Sequence, residues 1–316
     1  MDDHSAQRMS ALGLSSMWGI GRFERLTDFF AAGQAMGFDR FELNHKVSPE
    51  LLTTFTPGEV LITSVHHPCP TILPPDEIRR RGLFISSTDD DKRQVALDMA
   101  RITLRTAAEL GARAVIIHAG RLDIDPSLEE TLRRLCKTGL TGSPAFKEAR
   151  SRLDSAHRAR VPANLEMARR SLHELLPDLE LLGLRLGVEV RVHYYQLPSR
   201  PEEAAYLLDG ADPALMGYWH DTGHAGMLER LGFVPHVAWL ESLHSRLIGV
   251  HFSDVRGLRD HLAPGQGELD FARLALWLPP EVIRTLEAQH WNRPEEIIAG
   301  VEHLRVTGCI EKTDTR

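Results

Sequence analysis

LRLGVEVRVH, residues 184–193, is the stretch on which the fold turns. Side chains of a strand alternate between its two faces, so Val188, Val190 and Val192 share one face and Glu189, Arg191 and His193 share the other. The valine face suits packing under helices. The opposite face must be an interior that supplies partners, because a buried carboxylate without one shifts its pKa and loses its charge.

The rest of the chain repeats this unit. Candidate strands are SALGLSS, FDRFELN, VLITSVHH, RAVIIHAG, the stretch above, ALMGYWHD, RLIGVHFSD and EVIRTLEAQ. Helical stretches lie between them: FERLTDFFAAGQAMG, a short SPELLTTFTPGE of barely two turns, TDDDKRQVALDMARITLRTAAELG with a Thr/Asp cap, NLEMARRSLHELLPDLELLG, RPEEAAYLLDG and RPEEIIAGVEHLRV. Strand then helix, about eight times over, predicts a (β/α)₈ TIM barrel, a fold of about 250 residues. The 316 residues then form a single domain, 1–316. The surplus sits in 121–163, a polar helical insertion between the fourth strand and its helix. A doubly wound sheet would show a phosphate-binding glycine fingerprint after its first strand, and LGLSSMWGIGRF lacks that spacing.

Composition narrows the function. Apolar residues make up 42% and charged ones 26%, enough for a large core. A net charge of −7 offers no overall basic surface for nucleic acid or anionic lipid. Cys69, Cys136 and Cys309 are odd in number and widely spaced, so they imply neither a disulfide framework nor a zinc knuckle and fit a reducing, cytoplasmic setting. MDDHSAQRMS at the N-terminus is unlike a secretion signal, and no apolar run reaches membrane-spanning length. The sixteen histidines are the oddity, since several fall where strands end.

In a TIM barrel the active site lies at the C-terminal ends of the strands. FDRFELN sets Glu42 and Asn44 opposite Phe41 and Leu43; VLITSVHH ends in His66 and His67; RAVIIHAG carries His118; RLIGVHFSD sets His251 opposite Val250 and Phe252; VIRTLEAQ puts Thr285, Glu287 and Gln289 on one face. A single strand-end histidine is more often a hydrogen-bonded core residue than a ligand. Four such groups together are harder to dismiss. Glu189, Asp221, His251 and Glu287 end four consecutive strands, and three carboxylates in one pocket repel each other unless a cation is present. The expected cofactor is a divalent metal. A mostly oxygen donor set suits Mn²⁺, Mg²⁺ or Co²⁺, with Zn²⁺ open if further histidines join.

VEVR, HDTGHA, GVHFSDVRGLRDHLAPGQGELDF and TLEAQ resemble motifs of the xylose isomerase-like barrel superfamily, and the resemblance runs from the second strand to the eighth. That group includes sugar and sugar-phosphate isomerases and epimerases, inosose dehydratases and isomerases, and endonuclease IV. By motif, the resemblance assigns the shared metal ligands to Glu189, Asp221, His251 and Glu287. It assigns His224 either to substrate, as in epimerase-like members, or to a second metal, as in the nuclease branch. His66, His118, His224 and His261 fall where a three-metal phosphodiesterase would want additional ligands. One position departs: Arg259 stands where the nuclease pattern has an acid two residues before His261, with Asp260 adjacent. Lys147, Arg150, Arg152, Arg158 and Arg160 of the insertion are interspersed with Glu148 and Asp154 and read as a solvated helix face, so nucleic acid is not the expected partner.

The expected function is therefore a metal-dependent sugar isomerase or epimerase, or a dehydratase, acting on a small keto-sugar or polyol. Glu189 and Glu287 would move the carbon-bound proton beside a metal-polarised carbonyl. His66, His118, Arg191, His224 and His261 are the candidate substrate contacts. Trp18 and Trp219 are candidates for stacking on a sugar face, with buried packing the competing reading. PGQGELDF reads as a turn into a helix capped by Asp270, since Walker and dinucleotide spacings are absent. Cys69, with no activating base in view, reads as a bystander. A multi-metal phosphodiesterase acting on DNA, a non-catalytic metal-binding barrel or partner subunit, and a homo-oligomeric assembly all stay open.

Overall fold

The computed structural model describes residues 12–311. The stretch compared above with a secretion signal, and the first two residues of the first candidate strand, lie outside them. Each candidate strand contains a barrel strand: β1 Leu12–Ser15, β2 Arg40–Leu43, β3 Leu61–His66, β4 Ala114–Ile117, β5 Arg185–Glu189, β6 Met216–Asp221 and β7 Leu247–Phe252. A short antiparallel hairpin follows, β8 Asp254–Arg256 and β9 Arg259–Leu262, before the last barrel strand, β10 Ile283–Leu286. The eight parallel strands close in the order β1-β10-β7-β6-β5-β4-β3-β2. This is the (β/α)₈ barrel the alternation predicts.

Two cores follow from the period-two pattern. Phe41, Leu43, Val115, Ile117, Val188, Val190, Val250 and Phe252 face outward and join one large cluster with the helices. Inside, Ala114, Ile116, Trp219, Ile248 and Ile283 form a separate plug. Trp219 is the reason the neighbouring strands carry glycine at Gly187 and Gly249, where a Cβ would overlap its indole. The plug is the floor on which the polar strand ends stand.

The helices follow their local signals. Asp90–Glu109 is capped by Asp89, whose carboxylate accepts the Lys92 N–H at 3.2 Å. It buries Leu97, Ala100, Leu104 and Ala107, spaced three or four apart as one helical face requires. The 121–163 segment carries the helix Ser127–Lys137 and the first two-thirds of Pro144–Glu174, which continues past residue 163 without a break. Pro162 removes one N–H from that helix. The helix continues through it, packed on both sides, with Leu153 and His157 buried before the proline and Leu165, Ala168 and Leu172 after it. The second helix is a single turn, Pro49–Leu52, and the helix Thr222–Arg230 behind β6 is one that the hydrophobic pattern did not single out. No described helix is long and apolar enough to cross a membrane.

Candidate metal centre and active site

Glu189 and Asp221 are the last residues of β5 and β6, His251 is the penultimate residue of β7, and Glu287 follows β10. All four are buried, and each offers a ligand atom within 4.8 Å of the others. His251 Nδ1 lies 2.8 Å from Glu189 Oε1, 3.3 Å from Glu287 Oε2 and 3.8 Å from Asp221 Oδ2. Asp221 Oδ1 accepts the His224 N–H at 2.8 Å and so caps the helix Thr222–Arg230. Its Oδ2 is buried with no hydrogen-bond partner. An orphaned carboxylate oxygen beside two more carboxylates is costly unless a cation takes it. The donor set fits a divalent ion.

The electrostatics of the centre pull its acids apart. Burial pushes Glu287 up to about 7, aided by the charges of Asp221 and Glu189 and opposed by His251 and His261. Burial also acts to raise Glu189, but the neighbouring imidazoles of His118, His251 and His66 outweigh it and hold the carboxyl well below the usual range. His251 is pushed well above its ordinary value: burial opposes its charge, while Glu287, Glu42 and Glu189 more than offset that.

Two further groupings flank this cluster. His66, His118 and Glu189 form one, with the two Nε2 atoms 3.4 and 2.8 Å from Glu189 Oε2. His224, Asp260 and His261 form the other. Asp260, one residue after the departing Arg259, reaches this grouping because β9 carries it there; Arg259 instead lies over Trp291, 5.1 Å from the ring centroid. His261 has a left-handed backbone, φ 53°, uncommon outside glycine and a typical place for local strain at a site. All nine site residues named from the sequence thus gather at the C-terminal mouth of the barrel.

The strand registers settle alternatives that spacing left open. His66 faces the centre, whereas His67 turns to Thr103 Oγ1 at 3.0 Å and burial lowers it to about 3. His220 turns away from Asp221 to hydrogen-bond Tyr218 and His236. His193 leaves the interior as well. β5 ends at Glu189, and the His193 ring joins Glu129 of the insertion at 2.8 Å. Trp18 and Trp219 are both buried, the first donating to the Asn292 carbonyl, so neither offers a face to a sugar. Burial raises the Cys69 thiol to about 12, which keeps it unreactive.

The PGQGELDF loop binds a carboxylate of its own chain. Asp254 accepts the N–H groups of Val255, Gly265, Gly267, Glu268 and Leu269 at 2.8–3.1 Å. Those amides are no longer available to a phosphate. Three of the basic residues of the insertion are likewise engaged: Arg152 pairs with Glu148 at 2.5 Å, Arg158 with Asp154 at 2.9 Å, and Arg150 donates to the Gly232 carbonyl at 2.9 Å.

Two further contributors were not among the site residues named from the sequence. Glu42 was legible as an inward residue, but only the closed barrel brings its Oε2 to 3.0 Å from His251 Nε2 and 2.7 Å from Ser64 Oγ. His45, in the loop after β2, packs its ring 5.3 Å from that of His66 and 6.2 Å from that of His118.

A family model described as xylose isomerase-like TIM barrel matches residues 30–306. Comparison with curated protein sequences finds no match. Among solved structures, a D-tagatose 3-epimerase-like protein is 20% identical with a TM-score of 0.66, covering 94% of this chain and 96% of its own. The 3-keto-D-glucoside 4-epimerase YcjR of E. coli is 18% identical with a TM-score of 0.63, covering 94% and 99%. The IolI protein, solved with a zinc atom, is 13% identical with a TM-score of 0.61, covering 96% and 99%. At such identities the likeness is one of fold.

Proposed function

Because the chain belongs to the xylose isomerase-like TIM barrel family, we propose that it is a divalent-metal-dependent isomerase or epimerase of a keto-sugar or polyol, with dehydration of the same kind of substrate as the neighbouring outcome. The observation that carries this reading is the buried cluster itself: Glu189, Asp221, His251 and Glu287 each offer a ligand atom within 4.8 Å of the others, and Asp221 Oδ2 is left without a hydrogen-bond partner. A divalent ion held by Glu189, Asp221, His251 and Glu287 would polarise a carbonyl and its neighbouring hydroxyl, easing loss of the adjacent carbon-bound proton. Mn²⁺, Mg²⁺ or Co²⁺ suits the three carboxylates, and Zn²⁺ suits the added imidazole.

The protein's own groups supply the rest. Glu189 and Glu287 stand on strands separated by β6 and β7, so they approach a bound sugar from different sides. One takes the proton and the other returns it. His224 ties Nδ1 to the Val190 carbonyl at 3.0 Å, which leaves its other nitrogen for a hydroxyl. His66, His118, His261 and Arg191 line the same mouth as further hydroxyl partners. A cavity of about 120 Å³ lies beside His118, lined by Phe84, Ile85 and Met99 and bordered by Arg121 and Gln196.

The test is solvent-deuterium incorporation across a panel of keto-sugars and inososes by metal-loaded protein. Exchange that falls at least ~100-fold in Glu189→Gln and Glu287→Gln supports the assignment; no exchange with any of them sinks it. One observation favours a second reading, a multi-metal phosphodiesterase: Asp260 joins His224 and His261 despite Arg259. Cleavage of an abasic duplex, without deuterium exchange, would promote it.

A further inference from the structure

Glu189 serves two neighbourhoods with different oxygens. Its Oε1 faces His251 at 2.8 Å in the four-ligand cluster. Its Oε2 faces His118 Nε2 at 2.8 Å and His66 Nε2 at 3.4 Å. A carboxylate shared this way, with two imidazoles on its far oxygen, has the donor chemistry of a bridging ligand between two cations. The far position already holds a positive charge. Arg191, two residues after Glu189 and 7% exposed, sends Nη1 to Glu189 Oε2 at 2.7 Å, and the same nitrogen hydrogen-bonds His118 Nε2. These are two of the three lone pairs an ion there would need, His66 Nε2 being the third.

We propose that the Arg191 guanidinium is a built-in cation that replaces the second metal of a bridged pair, so that His66, His118 and Glu189 bind no ion in the native chain. The inference rests on the reading that Glu189, Asp221, His251 and Glu287 hold an ion through the other side of the same carboxylate. Guanidinium is charged at every working pH and presents fixed donors. Unlike a metal it cannot bind a water and turn it into hydroxide, the step by which paired ions drive hydrolysis. It can only hold what is already there. Arg191 Nε is buried without a hydrogen-bond partner, a donor left over for a substrate oxygen. The arrangement thus trades hydrolytic capacity for a permanent oxygen-binding group beside the proton-transferring carboxylates.

The experiment is ion stoichiometry by equilibrium dialysis against Zn²⁺ or Mn²⁺ with elemental analysis, on the wild type, Arg191→Met, Arg191→Lys and His118→Ala. Removing the guanidinium in Arg191→Met should add one equivalent over the wild type, and that equivalent should disappear in Arg191→Met/His118→Ala. Arg191→Lys keeps a cation in place and should match the wild type. His118→Ala alone should leave the count unchanged, a result that does not require any Arg191 variant to fold. Loss of an equivalent in His118→Ala, or no gain in a folded Arg191→Met, overturns the proposal. Failure of the four-ligand reading has a separate signature: no Glu287-dependent ion in the wild type, whatever happens on changing Arg191.

Discussion

Glu42 and His251 meet across the barrel interior, Oε2 to Nε2 at 3.0 Å, although 209 residues separate them in sequence. With Nε2 directed at Glu42, the nitrogen that faces Glu189, Asp221 and Glu287 is Nδ1. Ligating histidines commonly donate their second N–H to a carboxylate, which orients the ring and strengthens the ligand. Glu42→Ala should therefore weaken divalent-ion binding about 10- to 100-fold, and Glu42→Gln, which still offers an accepting oxygen, should lose less. Calorimetric titration with Mn²⁺ or Zn²⁺ reads both; equal affinity in all three proteins would refute the role.

Ion binding should also consume base. In the metal-free protein Glu287 is raised from 4.5 to about 7 and His251 well above 6.5. The folded chain therefore holds protons that the unfolded chain releases at lower pH, and the stability this confers is lost as pH rises through those folded-state values. A divalent ion must displace the same protons. Apparent affinity should rise with pH through neutrality, with proton release measurable by titration in buffers of different ionisation enthalpy. A flat affinity from pH 6 to 8 would contradict the assignment (that window being chosen to span about 7, the Glu287 value).

Gly249→Ala addresses the floor of the site. A Cβ at that position overlaps the Trp219 indole, which is fully buried within the barrel. Overpacking of this kind costs about 1–3 kcal/mol, seen as a lower denaturation midpoint. Because Trp219 packs against His251 with ring centroids 5.2 Å apart, ion affinity should fall in the same variant.

Asp254→Ala tests the loop that follows β9 and its His261. The change leaves five backbone N–H donors of Val255, Gly265, Gly267, Glu268 and Leu269 without their acceptor. Hydrogen bonds to a charged group are each worth about 1.5–3 kcal/mol, and not all are recovered by water. The variant should lose more than ~2 kcal/mol of stability, and amide exchange should accelerate across 263–269. Unchanged exchange there would mean that the loop is held by other contacts.

The barrel and its four-residue centre were legible in the amino-acid sequence because both are written in local spacing. A period of two assigns each strand residue to a face, so Glu189 against Val188 and Val190, or His251 against Val250 and Phe252, could be placed without knowing the partner strands. Strand ends then fall at one mouth by the topology of a parallel barrel. Tertiary structure alone decided what depends on register and reach. It turned His66 inward and His67 out, took His193 away to Glu129, and carried the helix from Pro144 to Glu174 through Pro162. It also set Asp260 beside His224 and His261, and sent Arg191 back onto Glu189 and His118. Spacing specifies the face on which a side chain starts. Only the closed sheet specifies which atom of a carboxylate meets which neighbour, because that distance is set by packing among strands remote in sequence.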